Sequence, residues 1–413
     1  MKYWKRLTKS EQNKRIKEAL YKNVDFDSDI SLGYPASKLD EKVFNTDVSF
    51  LKDSPLLQAF VKNPNHIGCH TFGESELAFE GTQQLEREVL QILAVDIFNC
   101  KEEKYDGYIA TGGTEANIEA LWIYRNLFKK EYQAKQEEIV IICSEDSHYS
   151  MPKGANILNL DIAFVSVDFY TREIQKETLD KLIKEQKKRG KKYFIVVSNM
   201  ATTMFGSVDD PNLFVTVLQE NKVDFKLHID GAFGGFIYPF KAKSSLEKNK
   251  IDFTNTHISS ITIDAHKMLQ APYGTGIFLC RENLIQYAAT KEAQYVNGTD
   301  VTMVGSRSGT NAIAVWMILF SYGYYSWFEK ISVLLMRTNW FCTELDQLNI
   351  KYYRHPRMNI VTIHAAYIPE KIALKYELVP DTHNGNPKWY KIVIMDHVEL
   401  DDLIEFINAL NKV

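Results

Sequence analysis

Asp230 and Lys267 are the residues whose types and placement could do chemistry together. Asp230 ends the apolar run Phe225–Asp230, inside His228-Ile229-Asp230-Gly231-Ala232. Lys267 follows the run Ser259–Asp264, inside Asp264-Ala265-His266-Lys267. Short apolar runs of this kind read as buried strands, so both side chains are expected at the same edge of one sheet. A carboxylate and a primary amine at one edge suit a cofactor that carries an aldehyde on a pyridine ring, pyridoxal 5'-phosphate (PLP). The amine forms a Schiff base with the aldehyde. The carboxylate pairs with the ring nitrogen and keeps it protonated, which the ring needs in order to draw electrons from a substrate carbanion. Each residue also has an ordinary reading. Aspartates close strands and cap helices, and an isolated lysine is usually a surface residue.

A phosphate needs its own cradle. Thr111-Gly112-Gly113-Thr114-Glu115-Ala116-Asn117 follows a strand candidate and opens a helix. Glycines bring backbone N–H groups close to an anion, a helix start adds partial positive charge, and threonine hydroxyls add donors. Gly113 and Thr114 are the candidates here; a tight turn with Thr114 as N-cap is the alternative. His148, in Asp146-Ser147-His148-Tyr149-Ser150, could stack on a pyridine ring, or could be an ordinary core or surface histidine. Ala232 is small enough to pack under the ring on the opposite side. Asn199 and Thr202, in Ser198-Asn199-Met200-Ala201-Thr202-Thr203, follow another strand and could contact the phenolic oxygen or the substrate.

These residues need a scaffold that delivers strand ends to one edge. Short apolar runs alternate with helical patterns between about Tyr105 and Cys280. The strand candidates are Tyr108–Thr111, Ile139–Cys143, Phe164–Val167, Tyr193–Ser198, Lys226–Asp230, Ser260–Ile263 and Gly276–Leu279. Their continuous hydrophobicity predicts strands covered on both faces, as in a parallel sheet flanked by helices. Helices are predicted over Glu115–Tyr132 and Lys176–Arg189. In the first, Ile118, Leu121, Trp122, Arg125 and Phe128 make a stripe facing the sheet. After Gly309 a long helical pattern, Asn311–Leu348, precedes strand-like Asn359–His364 and Tyr390–Met395 and a closing helix, Leu400–Leu410. The expected division is an N-terminal helical arm (1–60), a large α/β domain (61–305) and a small C-terminal α+β domain (306–413).

Composition fits a globular protein: 413 residues, 45% hydrophobic and 25% charged, with a net charge of −4. That balance gives no reason to expect a nucleic-acid or membrane partner. The basic stretch Met1–Leu20 reads as a solvated helix, with docking of Trp4 and Leu7 on another subunit as the alternative. The scattered cysteines Cys69, Cys100, Cys143, Cys280 and Cys342 show no metal-clip spacing, so reduced thiols in a cytoplasmic protein are expected.

The chain resembles the group II PLP-dependent amino-acid decarboxylases of fold type I, and within them the bacterial PLP-type histidine decarboxylases and their serine-decarboxylase relatives. The resemblance runs from Leu32-Gly33-Tyr34-Pro35 to about Trp316. It is best over Thr111–Asn117, Asp146–Ser150, Ala201–Asp210, Leu227–Phe240, His266–Leu269 and Gly305-Ser306-Arg307-Ser308-Gly309. It implies a mostly parallel seven-stranded sheet with flanking helices. It implies that Gly113 and Thr114 bind phosphate, His148 stacks on the ring, Asp230 pairs with the ring nitrogen, and Lys267 is the Schiff-base lysine. His266 and Ser306 would contact phosphate, Ser306 across the interface of a homodimer with shared active sites. Tyr295, on a loop beyond the lysine with a turn at Asn297-Gly298, would donate the proton to the carbanion. Gly231 stands where the family often has alanine, and the part after Asn359 matches poorly.

The resulting expectation is decarboxylation of an L-amino acid to its amine and CO2, with histidine as the leading substrate. Tyrosine or another aromatic amino acid, aspartate, glutamate and serine stay open. Tyr34, His70 and Phe72 fall in the segment that shapes the substrate pocket in relatives. Two further readings remain. One is another fold type I enzyme: a carbon–carbon or carbon–sulfur lyase, or an aminotransferase. The other is a non-catalytic scaffold, which would have no need of both Asp230 and Lys267.

Overall fold

The computed structural model describes residues 3–29, 31–33, 39–44, 49–67, 76–240, 251–289 and 299–411. Among the described residues, the α-helices before the first strand are α1 (Lys9–Lys22), α2 (Glu41–Phe44), α3 (Pro55–Lys62) and α4 (Glu80–Gln91). Thr8 caps α1 in a capping box with Glu11, and Ile16 and Ala19 are buried beneath it. The basic stretch is therefore amphipathic rather than wholly solvated. Trp4 docks on its own chain, not on a second subunit: its indole N–H donates to the Leu319 carbonyl at 2.9 Å. Leu7 N–H likewise donates to the Phe320 carbonyl at 2.8 Å.

Alternation along the strands decides the two faces of the central sheet. Val140, Ile142, Phe194, Val196, Leu227 and Ile229 belong to one buried cluster, while Ile139, Ile141, Cys143, Ile195 and Val197 belong to another. Successive side chains point to opposite faces, so strands that are apolar throughout must be covered on both. The strands are β1 (Tyr105–Ala110), β2 (Ile139–Ser144), β3 (Asp161–Val165), β4 (Tyr193–Asn199), β5 (Asp224–Asp230), β6 (Ile258–Asp264) and β7 (Gly276–Arg281). They form one sheet in the order β1-β7-β6-β5-β4-β2-β3. β7 is antiparallel to β1 and β6; the remaining pairs are parallel.

The crossovers run through α5 (Gly113–Glu131), α6 (Ser150–Leu158), α7 (Lys176–Lys188) and α8 (Pro211–Glu220). The predicted stripe of α5 is narrower than the surface it buries. Trp122 and Arg125 are only half-buried, whereas Ala116, Asn117, Ala120, Ile123, Tyr124 and Leu127 are also inside. A helix covered on several sides has no single apolar stripe to read.

After the sheet comes α9 (Gly309–Gln347), bent at Gly323, whose φ is 64°. A Cβ there would lie 2.5 Å from the Arg6 backbone nitrogen, so both the bend and the passing N-terminal chain require glycine. The last elements are β8 (Tyr352–Tyr353), β9 (Ile360–His364), α10 (Glu370–Lys375), β10 (Val379–Pro380), β11 (Trp389–Val393) and α11 (Leu400–Asn411). The four strands make an antiparallel sheet, β10-β11-β9-β8. The end of α9 packs with them: Phe341 and Leu345 share a core with Val361, Ile363 and Phe406. The fold is α/β with a small C-terminal antiparallel sheet, as in fold type I PLP enzymes.

Candidate active site

The site lies where β1, β2, β5 and β6 end and β7 begins. Gly276 pairs with Ala110 on one side and Asp264 on the other, which brings the Thr111–Gly113 turn beside the end of β6. Glu115 braces that turn. Its Oε2 accepts from Thr111 N–H at 2.8 Å, and its Oε1 from the Tyr108 hydroxyl at 3.1 Å. α5 begins at Gly113, where a Cβ would come within 2.7 Å of Asp264 Oδ2 and 3.2 Å of the Ala232 Cβ. Only glycine allows the helix start to approach the end of β6 so closely.

A cavity of about 520 Å³ opens at this edge. Its lining brings together Gly113, Thr114, His148, Ala232, His266 and Lys267, and adds Asn117, Ile118, Tyr149, Asp264, Met303 and Val304. Lys267 is about one-third exposed, and its Nζ lies 3.1 Å from Asp264 Oδ2. His266 Nε2 is 3.6 Å from the same oxygen. Asp230 is buried at the end of β5. Its Oδ1 accepts from Ala232 N–H at 3.1 Å and its Oδ2 from Asn117 Nδ2 at 3.0 Å.

His148 follows β2, and its Nδ1 accepts from Ser150 N–H at 3.2 Å. Burial lowers the pKa of this imidazole. Because Nδ1 is an acceptor, the neutral ring carries its proton on Nε2.

Other expected contributors lie elsewhere. Thr202 is buried against Ser207, with the two hydroxyls 2.7 Å apart, and does not line the cavity. Asn199 donates to Asp209 Oδ2 at 2.7 Å and to Ser147 Oγ at 2.9 Å. Ser306 is exposed, and its Oγ accepts from Asn65 Nδ2 at 3.3 Å. Tyr295, with the Asn297-Gly298 turn, and Tyr34, His70, Phe72 and Cys69 lie outside the described residues.

Sequence reasoning gave no role to Asn117 or Asp264. Both sit in the segments that drew attention, one turn of chain from Gly113 and from Lys267. Only the pairing of distant segments shows what Asn117 touches, whereas Asp264 meets Lys267 three residues along the chain.

Buried atoms without partners show what the site is built to take. Asp264 Oδ1 and His266 Nδ1 have no hydrogen-bond partner among the described residues. Buried polar atoms are normally paired, so these await a ligand group. An anion fits the N-terminus of the 19-residue α5, an aldehyde fits the accessible amine, and a protonated ring nitrogen fits the Asp230 carboxylate. PLP carries all three features.

The comparisons with known proteins agree. The family profile described as "Pyridoxal-dependent decarboxylase conserved domain" matches residues 65–350. A tryptophan decarboxylase from Clostridium sporogenes is 54% identical over 412 residues, covering 100% of this chain and 98% of that protein. An L-aspartate decarboxylase from Thermococcus kodakarensis is 31% identical over 348 residues, covering 81% and 83%. Among solved structures, an L-methionine decarboxylase from Streptomyces aligns with a TM-score of 0.71 at 19% identity, over 98% of this chain and 93% of that one. With the family shown along most of its length, the chain belongs to the pyridoxal-dependent decarboxylases and is a PLP-dependent amino-acid decarboxylase.

Proposed function

We propose that the chain decarboxylates L-tryptophan to tryptamine and CO2. The observation that carries this reading is the 54% identity to a tryptophan decarboxylase over 100% of this chain and 98% of that protein. The expectation of histidine gives way to the aromatic alternative. Ile118, Tyr149, Met303 and Val304 add apolar and aromatic surface to the cavity, which suits a planar aromatic side chain.

When bound, PLP supplies an electron sink for the pair left behind as the carboxyl group departs. Gly113, Thr114 and His266 would hold its phosphate, with Ser306 of a second copy reaching the same group. Lys267 would hold the aldehyde carbon, Asp230 the ring nitrogen, and His148 and Ala232 the two ring faces. Lys267 acts as a nucleophile through its neutral amine, and Asp264 Oδ2, 3.1 Å from its Nζ, holds that side chain in place. His148 presents a neutral imidazole, so it adds no positive charge against the ring. Tyr295 would deliver the proton to the former α-carbon. A shared site makes the protein a homodimer. The free, buried thiols of Cys100, Cys143, Cys280 and Cys342 suit a reducing compartment, the cytoplasm.

Amine formation from each of the twenty amino acids tests the substrate. Tryptophan should give a kcat/KM at least about tenfold above tyrosine, phenylalanine, histidine and aspartate. Preference for aspartate or histidine would reject tryptophan while leaving decarboxylation intact.

A further inference from the structure

Five buried groups form one chain of hydrogen bonds that ends on Asp230. The Tyr124 hydroxyl pairs with Ser260 Oγ. Ser260 Oγ lies 2.6 Å from His228 Nδ1, and His228 Nε2 lies 2.9 Å from Asn117 Oδ1. Asn117 Nδ2 donates to Asp230 Oδ2 at 3.0 Å. Register explains how they meet. His228 pairs with Ser260 and Asp230 with Thr262 across β5 and β6, and residues two apart on a strand share a face. Asn117 and Tyr124 are two turns apart on α5, on the side that covers that face.

The Asn117 amide fixes the direction of the whole chain. Its nitrogen is 3.0 Å from both Asp230 Oδ2 and Ser150 Oγ, and one N–H goes to each. The flipped amide would press its oxygen against a carboxylate. Oδ1 must therefore accept, and His228 must donate from Nε2. Burial pushes the His228 imidazole down to about 4, so the ring is neutral and Nδ1 is free to accept from the Ser260 hydroxyl. Ser150 carries a second branch: its Oγ lies 3.0 Å from His148 Nδ1. One side chain thus touches Asp230 directly and His148 through a single hydroxyl.

We propose that Asn117, oriented by His228, is the positioning residue that sets both grips on the PLP ring, aiming the Asp230 carboxylate at the ring nitrogen and fixing the His148 imidazole over the ring face. This rests on the roles given above to Asp230 and His148. Ala232 N–H already occupies one carboxylate oxygen of Asp230 and Asn117 one position on the other. The remaining lone pairs then face a fixed direction. Without Asn117 the carboxylate is free to turn.

The test uses Asn117→Leu, which keeps the branched outline at a larger volume and removes every side-chain hydrogen bond, with His228→Leu and His228→Gln. A glutamine can still donate an N–H toward Asn117. Four quantities are read: the PLP dissociation constant by dialysis, the visible circular dichroism of bound PLP, kcat against KM, and Tm. Asn117→Leu should raise the PLP Kd and lower kcat by about tenfold to a hundredfold each, the range for losing hydrogen bonds to a charged group. KM should stay within about twofold, and the dichroism band should change. His228→Leu should shift the same quantities in the same direction, and His228→Gln should recover most of the loss. Asp230→Asn is the control.

If Asn117→Leu and His228→Leu lower only Tm, leaving Kd, dichroism and kcat at wild-type values, the chain is merely structural and the proposal is wrong. If Asp230→Asn itself leaves Kd and kcat unchanged, the ring-partner role fails and the proposal fails with it. Should Asn117→Leu not fold, the contrast between His228→Leu and His228→Gln decides the same question.

Discussion

The Lys267 amine and the Asp264 carboxylate sit three residues apart in the chain and 3.1 Å apart in space. The neighbouring strand ends in a second aspartate, Asp230, whose two oxygens are taken up by Asn117 and Ala232. Partners, not residue type, divide the work. The carboxylate beside the amine fixes the position of Nζ; the one held by two N–H donors keeps its remaining lone pairs in a fixed direction. This predicts different behaviour for two lysine variants than charge alone would. Lys267→Ala removes the amine proposed as the nucleophile, and kcat should fall on the order of a thousandfold or more. Lys267→Arg keeps the positive charge beside Asp264 but cannot be deprotonated, so it should be as inactive as alanine. Borohydride followed by digestion should leave PLP attached to the Lys267 peptide in the wild type and to no peptide in either variant. Recovery of more than about a tenth of wild-type kcat in Lys267→Arg would mean that the charge matters rather than the nucleophile.

Four segments meet at one buried carboxylate, and that junction sets how the site's border is held. Glu86 on α4 accepts from Arg307 Nη1 at 2.5 Å and from Ile109 N–H at 2.8 Å. His66 Nδ1 lies 2.5 Å from its other oxygen. The Arg307 guanidinium and the His66 hydrogen bond outweigh the burial that opposes ionisation, and Glu86 is held down at about 2. Burial drives His66 the other way, toward its neutral form, so it serves as a donor rather than a cation. A carboxyl whose folded pKa lies below its ordinary 4.5 contributes stability above that value, and the contribution is lost as pH falls toward 2. Glu86→Gln should therefore cost about 3 kcal/mol in urea unfolding at pH 7, with the gap to wild type shrinking as pH drops below 4.5. A gap that stays constant from pH 7 to pH 3 would show that charge is not what Glu86 contributes.

Glu86 and Arg307 are 221 residues apart, which is why no local pattern announces them. The same limit applies to Asn117 and His228, 111 residues apart. The ends of β5 and β6 were legible because an apolar run that stops at an aspartate is a local signal. β8 and β10, at two residues each, are too short to have a period, and they went unread.

At the scale of the whole molecule, the single chain leaves apolar surface without a cover. Leu32 is 94% exposed and Leu77 74%, and Val43, Phe44, Phe50 and Phe60 are also exposed. Among the described residues these exposed apolar side chains all precede the central sheet, and contiguous apolar patches of that kind mark interfaces. The chain just after α3 is tied directly to the segment that carries Ser306. His66 N–H donates to the Arg307 carbonyl, Gly309 N–H to the Pro64 carbonyl, and Asn65 bridges to Ser308. A copy docked on this face would place its own Ser306 at the seam, which accounts for that residue standing apart from the cavity of its own chain. The expected assembly is a two-fold dimer burying on the order of 2,000 Å² or more. Sedimentation should give a dimer at nanomolar concentration, and Leu32→Glu with Leu77→Glu should yield a folded but inactive monomer.

Mixed dimers test the sharing of sites directly. Lys267→Ala and Ser306→Glu should each be inactive alone. When the two are co-expressed, a hybrid dimer pairs the intact Lys267 of one subunit with the intact Ser306 of the other, which restores one site in two. Random assembly makes half the dimers hybrid, so activity should return to about a quarter of wild type. Each site would be self-contained if the mixture stayed as inactive as its parents.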